Sequence, residues 1–139
     1  MRIWHHLEPA LPRFHGVEPL RAGLGALIGM SVCVGLAYLG ALFGQTPFYL
    51  VAPLGATAVL LFCVPNSPLA QPWSAVVGNI SASLVALIAV WYVPGPWLVG
   101  IAVGGAITVM MFLRALHPPG GAVALLTALN PGVAFEAGP

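Results

Sequence analysis

The sequence predicts an all-α membrane protein with about four transmembrane helices and a short helix that begins at a proline–glycine sequence. The chain is 60% hydrophobic and only 5% charged, whereas soluble domains carry about 25% charged residues. Asp, Glu, Lys and Arg are absent from residues 22–113, the interval between Arg21 and Arg114. The apolar segments within this interval approach the length that a bilayer requires. A chain with so little charge has lipid as its natural solvent.

Breaks rich in Pro, Gly and polar residues divide the chain into elements. Residues 1–21 form a polar N-terminal segment at the cytoplasmic side or the membrane interface, and residues 22–139 form the transmembrane domain. The predicted spans cover about 22–43, 48–64, 73–93 and 97–116, followed by a short helix over 119–129. Pro53 and Gly55 interrupt the second span. A residue before proline is pushed out of the α region, so the fourth span is expected to end near Leu116.

The arginines predict the orientation of the chain in the membrane. Arg2, Arg13 and Arg21 precede the first span, and Arg114 follows the fourth. The positive-inside rule then places both ends in the cytoplasm, with an even number of crossings between them. We expect a bacterial inner membrane with the N-terminus cytoplasmic.

The composition argues against several classes of function. A net charge of +1 gives no case for nucleic-acid binding, and the spans lack the carboxylates of a proton relay or a sodium cage. His5, His6 and His15 have no partner at metal-ligand spacing, so we expect neither metal nor cofactor. No hydrolase or protease pattern is present, and we expect no enzyme. Cys33 and Cys63 are interpreted as buried free thiols.

Two segments resemble each other at an offset of 66 positions. Residues 53–60 (PLGATAVL) and 119–126 (PGGAVALL) share Pro, Gly, two Ala and Leu in aligned positions. A unit of three helices would make the second copy inverted in the membrane, and paired interrupted helices are typical of transporter sites. The second copy would then lack its last helix, as expected of a fragment. Chance similarity in a chain rich in Ala, Leu and Gly is the alternative.

The strongest candidate site is Arg114 with His117 and the glycines Gly120 and Gly121. Pro119 suits the first turn of a helix, which leaves backbone N–H groups unsatisfied at a positive helix end. Arg114 and His117 are three positions apart and can converge with these amides on a small anion. The alternative is an arginine that snorkels to the cytoplasmic interface beside a plain helix break.

A second candidate lies at Gly55, Ala56 and Thr57, just after Pro53. In an inverted repeat this helix start would face the one after His117, and an anion would bind between them. The alternative is a kinked span whose free backbone groups are satisfied by neighbouring helices.

Other polar and small residues have packing roles as well as functional ones. Asn79 and Ser83 are four apart on one face of the third span, where they either bond across helices or line a polar pathway. The pairs Gly25/Gly29 and Gly100/Gly104 have the spacing that permits close helix packing.

Several segments resemble those of the HPP family of integral membrane proteins. The run at 116–122 (LHPPGGA) is similar to the motif that defines the family, and the segments 19–21, 53–58 and 65–72 resemble its other recurrent sequences. The resemblance covers about residues 15–130. It implies a multi-spanning protein that usually continues with a further apolar helix. It also implies nitrite transport, with which members from photosynthetic organisms are associated.

The combined expectation is a transporter or channel for a small, nitrite-like anion. Its partners would be the lipid bilayer, a small inorganic anion and further copies of the chain as a homo-oligomer. The alternative function is that of a non-transporting membrane assembly subunit, which uses its Gly-rich faces to contact partners.

Overall fold

The computed structural model describes residues 16–43 and 52–132, and this part of the chain is helical without strands. The helices are α1 (Glu18–Leu42), α2 (Ala52–Cys63), α3 (Pro72–Tyr92), α4 (Leu98–Phe112) and α5 (Pro118–Leu129), with short 3₁₀ helices at Pro68–Ala70 and Gly95–Trp97. The all-α membrane prediction is confirmed. Residues 1–15, with most of the predicted N-terminal segment, and 44–51, with the start of the predicted second span, lie outside the described residues.

Three of the described helices have the length and hydropathy of a membrane span: Glu18–Leu42, Pro72–Tyr92 and Gly95–Phe112. The count of four spans is therefore approximate. The difference lies in α2, whose described part has 12 residues. At about 1.5 Å per residue this part is about 18 Å long, shorter than a hydrocarbon core of about 30 Å. The even number of crossings, and the orientation inferred from it, stay predictions.

The two short helices correspond closely to each other. Helix α2 ends at Cys63 and α5 ends at Leu129, so their C-terminal boundaries differ by 66 positions (129 − 63). Pro53 and Pro119 are buried at equivalent positions, as are Ala58 and Ala124. The matching C-terminal boundaries and buried positions support the predicted repeat. The inverted relation of its two copies stays a prediction.

Helix α4 ends at Phe112, four residues before the end predicted at Leu116. The Ala115 N–H donates to the Met110 carbonyl at 2.8 Å, and the Arg114 N–H donates to the Met111 carbonyl at 3.0 Å. These two bonds form a Schellman motif, which closes a helix with a left-handed residue. Arg114 has that conformation, with φ of 54°. The helix therefore stops before the prolines can impose their own restriction.

The core lies between α3, α4 and α5 and consists almost entirely of small side chains. The buried residues of this cluster are Ala82, Ala86, Ala89, Ala102, Ala106, Met110, Ala124 and Ala128. Small side chains let membrane helices approach closely, and van der Waals contact between their backbones then stabilises the bundle. This close approach positions the start of α5 against α3.

Helix α1 differs from the other four α-helices, because none of its residues is buried. It packs against α2, whose Phe62 ring lies over Gly25 and Gly29. The predicted packing role of this glycine pair is confirmed. Gly100 and Gly104, in contrast, face open space. A methyl group added at either position would meet no atom of the described residues within 4 Å.

The contact between Phe62 and α1 gives a testable expectation. A methyl group at Gly25 would lie 2.6 Å from the Phe62 ring, whereas one at Gly35 of the same helix would meet nothing within 4 Å. We therefore expect Gly25→Ala to lower the free energy of unfolding by about 1 kcal/mol or more through overpacking. Gly35→Ala is the matched control and should be neutral or slightly stabilising. Thermal unfolding in detergent measures both, and equal midpoints would contradict the packing.

The remaining surface is apolar, as lipid requires. Val76, Ile80, Leu84 and Ile88 recur every four residues along α3 and are each more than half exposed. Cys33 and Cys63 are free but also exposed, so the prediction that they are buried is wrong. Cys33 lies on α1, which has no buried residue, and Cys63 lines the groove between α1 and α2.

Candidate functional site

His117 stands at the start of α5 and is the only large polar side chain that is completely buried in the described part of the protein, at 0% exposure. It is the N-cap residue of α5, with extended backbone (φ −136°, ψ 105°). The following Pro118 explains this conformation, because proline excludes the α region for the residue before it. Pro118 then opens the helix, one position earlier than predicted. The extended backbone directs the imidazole into the protein rather than along the helix surface.

Both ring nitrogens of His117 form hydrogen bonds within the protein. Nδ1 lies 2.8 Å from the Leu69 carbonyl oxygen, and Nε2 lies 3.0 Å from the Thr57 Oγ1. A carbonyl oxygen only accepts, so Nδ1 carries the hydrogen in that bond. In the neutral imidazole Nε2 is then an acceptor, and the Thr57 hydroxyl donates to it. One side chain thus connects α5, α2 and the 68–70 turn.

Gly78 of α3 provides the space in which His117 lies. A methyl group at this position would be 2.5 Å from the Ala115 carbonyl oxygen and 2.8 Å from the His117 Cβ. The turn between α4 and α5 therefore rests directly on the α3 backbone. Gly120 makes a similar contact, since a methyl group there would lie 3.1 Å from the Gly78 carbonyl oxygen.

Arg114 and His117 do not converge on one point in this structure, contrary to the prediction. His117 is buried, whereas Arg114 is exposed at the end of α4. Arg114 borders a hollow of about 220 Å³ that Leu69 and Ser74 also line. The Leu69 residue thus contributes to the hollow and accepts the His117 N–H through its carbonyl. Arg114 has a left-handed backbone that costs a non-glycine residue about 1–2 kcal/mol.

The two sets of backbone amides also lie apart. Gly55 and Ala56 are exposed, and Gly55 lines a groove of about 890 Å³ between α1 and α2. Gly120 is buried against α3, and its N–H donates to the His117 carbonyl at 2.8 Å. Gly121 is half-buried. The predicted arrangement, in which both pairs of amides face a single anion, is not present in this conformation. Of the second motif, only Thr57 reaches His117.

Asn79 and Ser83 form their hydrogen bonds within α3 rather than across helices. The Asn79 amide donates to the Ala75 carbonyl at 2.8 Å, and the Ser83 hydroxyl donates to the Asn79 carbonyl at 2.9 Å. The expected inter-helix bonds are therefore wrong for the described residues. The Asn79 Oδ1 is buried without a hydrogen-bond partner there. Their role in lining a pathway stays a prediction.

Two residues that position His117 were missed by the sequence reasoning. Leu69 acts through its carbonyl, which no side-chain pattern reveals, although the segment 65–72 was recognised as similar to the family. Gly78 stands one position before Asn79, and the pair Gly78–Ala82 has the same small-residue spacing as the glycine pairs that were recognised. That spacing was the available signal. In the described residues no group of three or more His, Cys, Asp and Glu is placed to hold a metal.

The buried histidine belongs to the sequence LHPPGGA, and the family model that matches the chain has this segment within it. The model describes the HPP transmembrane region and matches residues 11–137. The chain belongs to the HPP family. The resemblance inferred from the three motifs is therefore confirmed, and with it the assignment as an integral membrane protein.

Two curated relatives from Dictyostelium discoideum, both described as transmembrane proteins, are similar to this HPP protein. One is 38% identical over 112 residues, which cover 77% of this chain and 36% of the relative. The other is 35% identical over 112 residues, which cover 77% of this chain and 39% of the relative. The chain thus spans little more than a third of the length of these relatives. No solved structure matches the chain.

Proposed function

We propose that this HPP protein transports a small monovalent anion such as nitrite across the membrane, as a transporter or channel. The observation that carries the proposal is the hydrogen bond between the buried His117 and the half-buried Thr57, which joins the two short helices inside a membrane domain. Ionisable side chains inside membrane domains are costly, and they mark substrate and ion pathways. Short, proline-started helices in corresponding halves of a chain are likewise typical of transporters.

The composition supports an anion rather than a cation as the transported ion. No Asp or Glu occurs between residues 22 and 113, so this region offers no carboxylate to hold a cation. The positive and donor groups are Arg114 at the surface and the Thr57–His117 pair in the interior. We propose that Arg114 attracts the anion to the hollow beside Leu69 and that Thr57 binds it further inside. His117 then acts as the residue that positions Thr57.

The three arginines that precede the first span, Arg2, Arg13 and Arg21, support a cytoplasmic N-terminus. With α2 as a fourth crossing between Arg21 and Arg114, the turn with Arg114 also lies at the cytoplasmic surface. The hollow that it borders would then be the cytoplasmic opening of the pathway.

Nitrite uptake into proteoliposomes tests the proposed transport. We expect wild-type protein to accelerate uptake over protein-free liposomes, and Arg114→Asn to reduce it about tenfold, since a basic group at a pathway mouth concentrates anions by that order. Asparagine is chosen because it tolerates the left-handed backbone of this position. Arg114→Lys is the matched control, since it keeps the charge, and it should retain most of the uptake. Uptake by Arg114→Asn at the wild-type rate would remove Arg114 from the pathway, and no uptake by wild type would contradict transport.

A second function, that of a non-transporting assembly subunit, is favoured by one observation. Helix α1 has no buried residue, and Gly100 and Gly104 of α4 have open space around them in the described part of the chain. Such faces suit a partner helix. Purification of the protein with a fixed partner, together with absence of nitrite uptake, would favour this function over transport.

A further inference from the structure

We propose that His117 and Thr57 form a switch through which the protein binds a proton and a monovalent anion together, an inference that rests on the transport proposed above. Most hydrogen-bonded hydroxyls of the described helices bond locally. Those of Ser83, Thr108 and Thr127 each donate to the carbonyl four residues earlier in their own helix, and that of Ser74 donates to Pro68 in the adjacent turn. The Thr57 hydroxyl instead bonds across to α5, 60 residues away in sequence.

In the neutral state the switch repels anions. The Leu69 carbonyl fixes the hydrogen of His117 on Nδ1, so Nε2 takes up the hydrogen of the Thr57 hydroxyl. The Thr57 Oγ1 then has only lone pairs left for any ligand. An anion that approached this half-buried oxygen would meet an acceptor and no donor. While His117 is neutral, Thr57 therefore has no hydrogen to donate to an anion.

Protonation of His117 reverses the direction of this hydrogen bond. The proton, taken from water on one side of the membrane, binds Nε2, and the new N–H donates to the Thr57 Oγ1. The bond from Nδ1 to the Leu69 carbonyl is unchanged. The hydroxyl hydrogen of Thr57 is released and can donate to an anion, and the imidazolium adds a positive charge one hydrogen bond away. When the proton leaves on the other side, the hydroxyl turns back and the anion loses its donor.

The surroundings of His117 leave the anion as the partner of its positive charge. The elements packed against His117 and the start of α5 are α2, the 68–70 turn, α3 and α4, which carry no Asp, Glu, Lys or Arg. Their titratable side chains are Cys63 and Tyr92, and both are exposed. Arg114, three residues before His117, is exposed and has the same sign of charge. A buried unpaired charge is costly, so proton and anion stabilise each other, and the coupling is reciprocal.

This switch predicts electroneutral symport of a proton with each anion. The experiment uses proteoliposomes that contain a trapped pH-sensitive dye, with nitrite as the probe and protein-free liposomes as the background for passive permeation. Wild-type uptake should carry protons inward with nitrite, rise when the outside is made acidic, and stay unchanged when potassium and valinomycin impose a membrane potential. Thr57→Val, which keeps the shape without the hydroxyl, should lose uptake. Thr57→Ser is the matched control and should retain coupled uptake.

Each outcome decides the proposal. Nitrite uptake that responds to the potential and brings in no protons overturns the switch while it leaves anion transport in place. Coupled uptake by Thr57→Val at the wild-type rate overturns the switch as well. Absence of uptake by wild type overturns both the transport and the switch. If Thr57→Val does not fold, the proton stoichiometry and the voltage dependence of wild-type uptake still test the switch. Thr57→Ser should take up protons with nitrite as the wild type does.

Discussion

Replacement of Gly78 by alanine is expected to displace the turn between α4 and α5 and to lower the free energy of unfolding by about 1–3 kcal/mol. The added methyl group would lie 2.5 Å from a backbone oxygen, that of Ala115, and 2.8 Å from the His117 Cβ. Neither atom belongs to the free end of a flexible side chain, so the contact is relieved only if the two segments separate. Thermal unfolding in detergent measures the effect.

The matched control for this substitution is Gly100→Ala in α4, where a methyl group meets nothing within 4 Å. It should leave the unfolding midpoint unchanged or raise it slightly, because alanine favours helix over glycine. If Gly78→Ala unfolds at the same temperature as Gly100→Ala, His117 does not rest on the α3 backbone as described.

Replacement of His117 by alanine is expected to destabilise the protein by about 3 kcal/mol or more. The substitution leaves a cavity at a completely buried site. It also leaves the half-buried Leu69 carbonyl and Thr57 hydroxyl without their partner, which adds a smaller cost than the loss of a partner at a fully buried group. Thr57→Val removes only one of the two bonds and is expected to cost about 1 kcal/mol.

The double variant distinguishes a shared hydrogen bond from two independent effects. Because Thr57 and His117 contact each other, their free energies should not add. Thr57→Val combined with His117→Ala should be no less stable than His117→Ala alone, since the bond that valine removes is already absent. Strictly additive losses in unfolding experiments would contradict the hydrogen bond between the two residues.

Much of the fold follows from residues whose effects are local. The absence of charge from residues 22–113 predicted the membrane domain, and the prolines at 53, 72 and 118–119 stand in the first turn of their helices, as proline geometry favours. The repeat at an offset of 66 predicted two equivalent helices interrupted by proline and glycine, although the first was counted as a full span. The predicted end of α4 near Leu116 was wrong, because Arg114 takes a left-handed conformation that glycine usually adopts at the end of a helix.

The candidate site was predicted less completely, and the reason is that it depends on contacts distant in sequence. His117 and Thr57 were both selected, but as separate anion ligands rather than as partners of one hydrogen bond. The spacing of Arg114 and His117 suggested convergence, whereas the extended backbone of His117 turns its ring inward and leaves Arg114 outside. The Leu69 carbonyl, which fixes the hydrogen on Nδ1, contributes only a main-chain atom.

The central claim is that the junction of α2 and α5 at Thr57 contacts the transported anion, and substrate protection tests it most directly. Cys33 and Cys63 are exposed and are first replaced by alanine, and a single cysteine is then introduced as Thr57→Cys or, on the open face of α4, as Gly100→Cys. The rate of labelling by a small charged thiol reagent is measured against nitrite concentration in proteoliposomes. We expect nitrite to slow the labelling at position 57 and to leave the labelling at position 100 unaffected. Half of the effect should be reached at the nitrite concentration that half-saturates uptake by the wild type. Labelling at position 57 that nitrite does not slow at any concentration would contradict the claim.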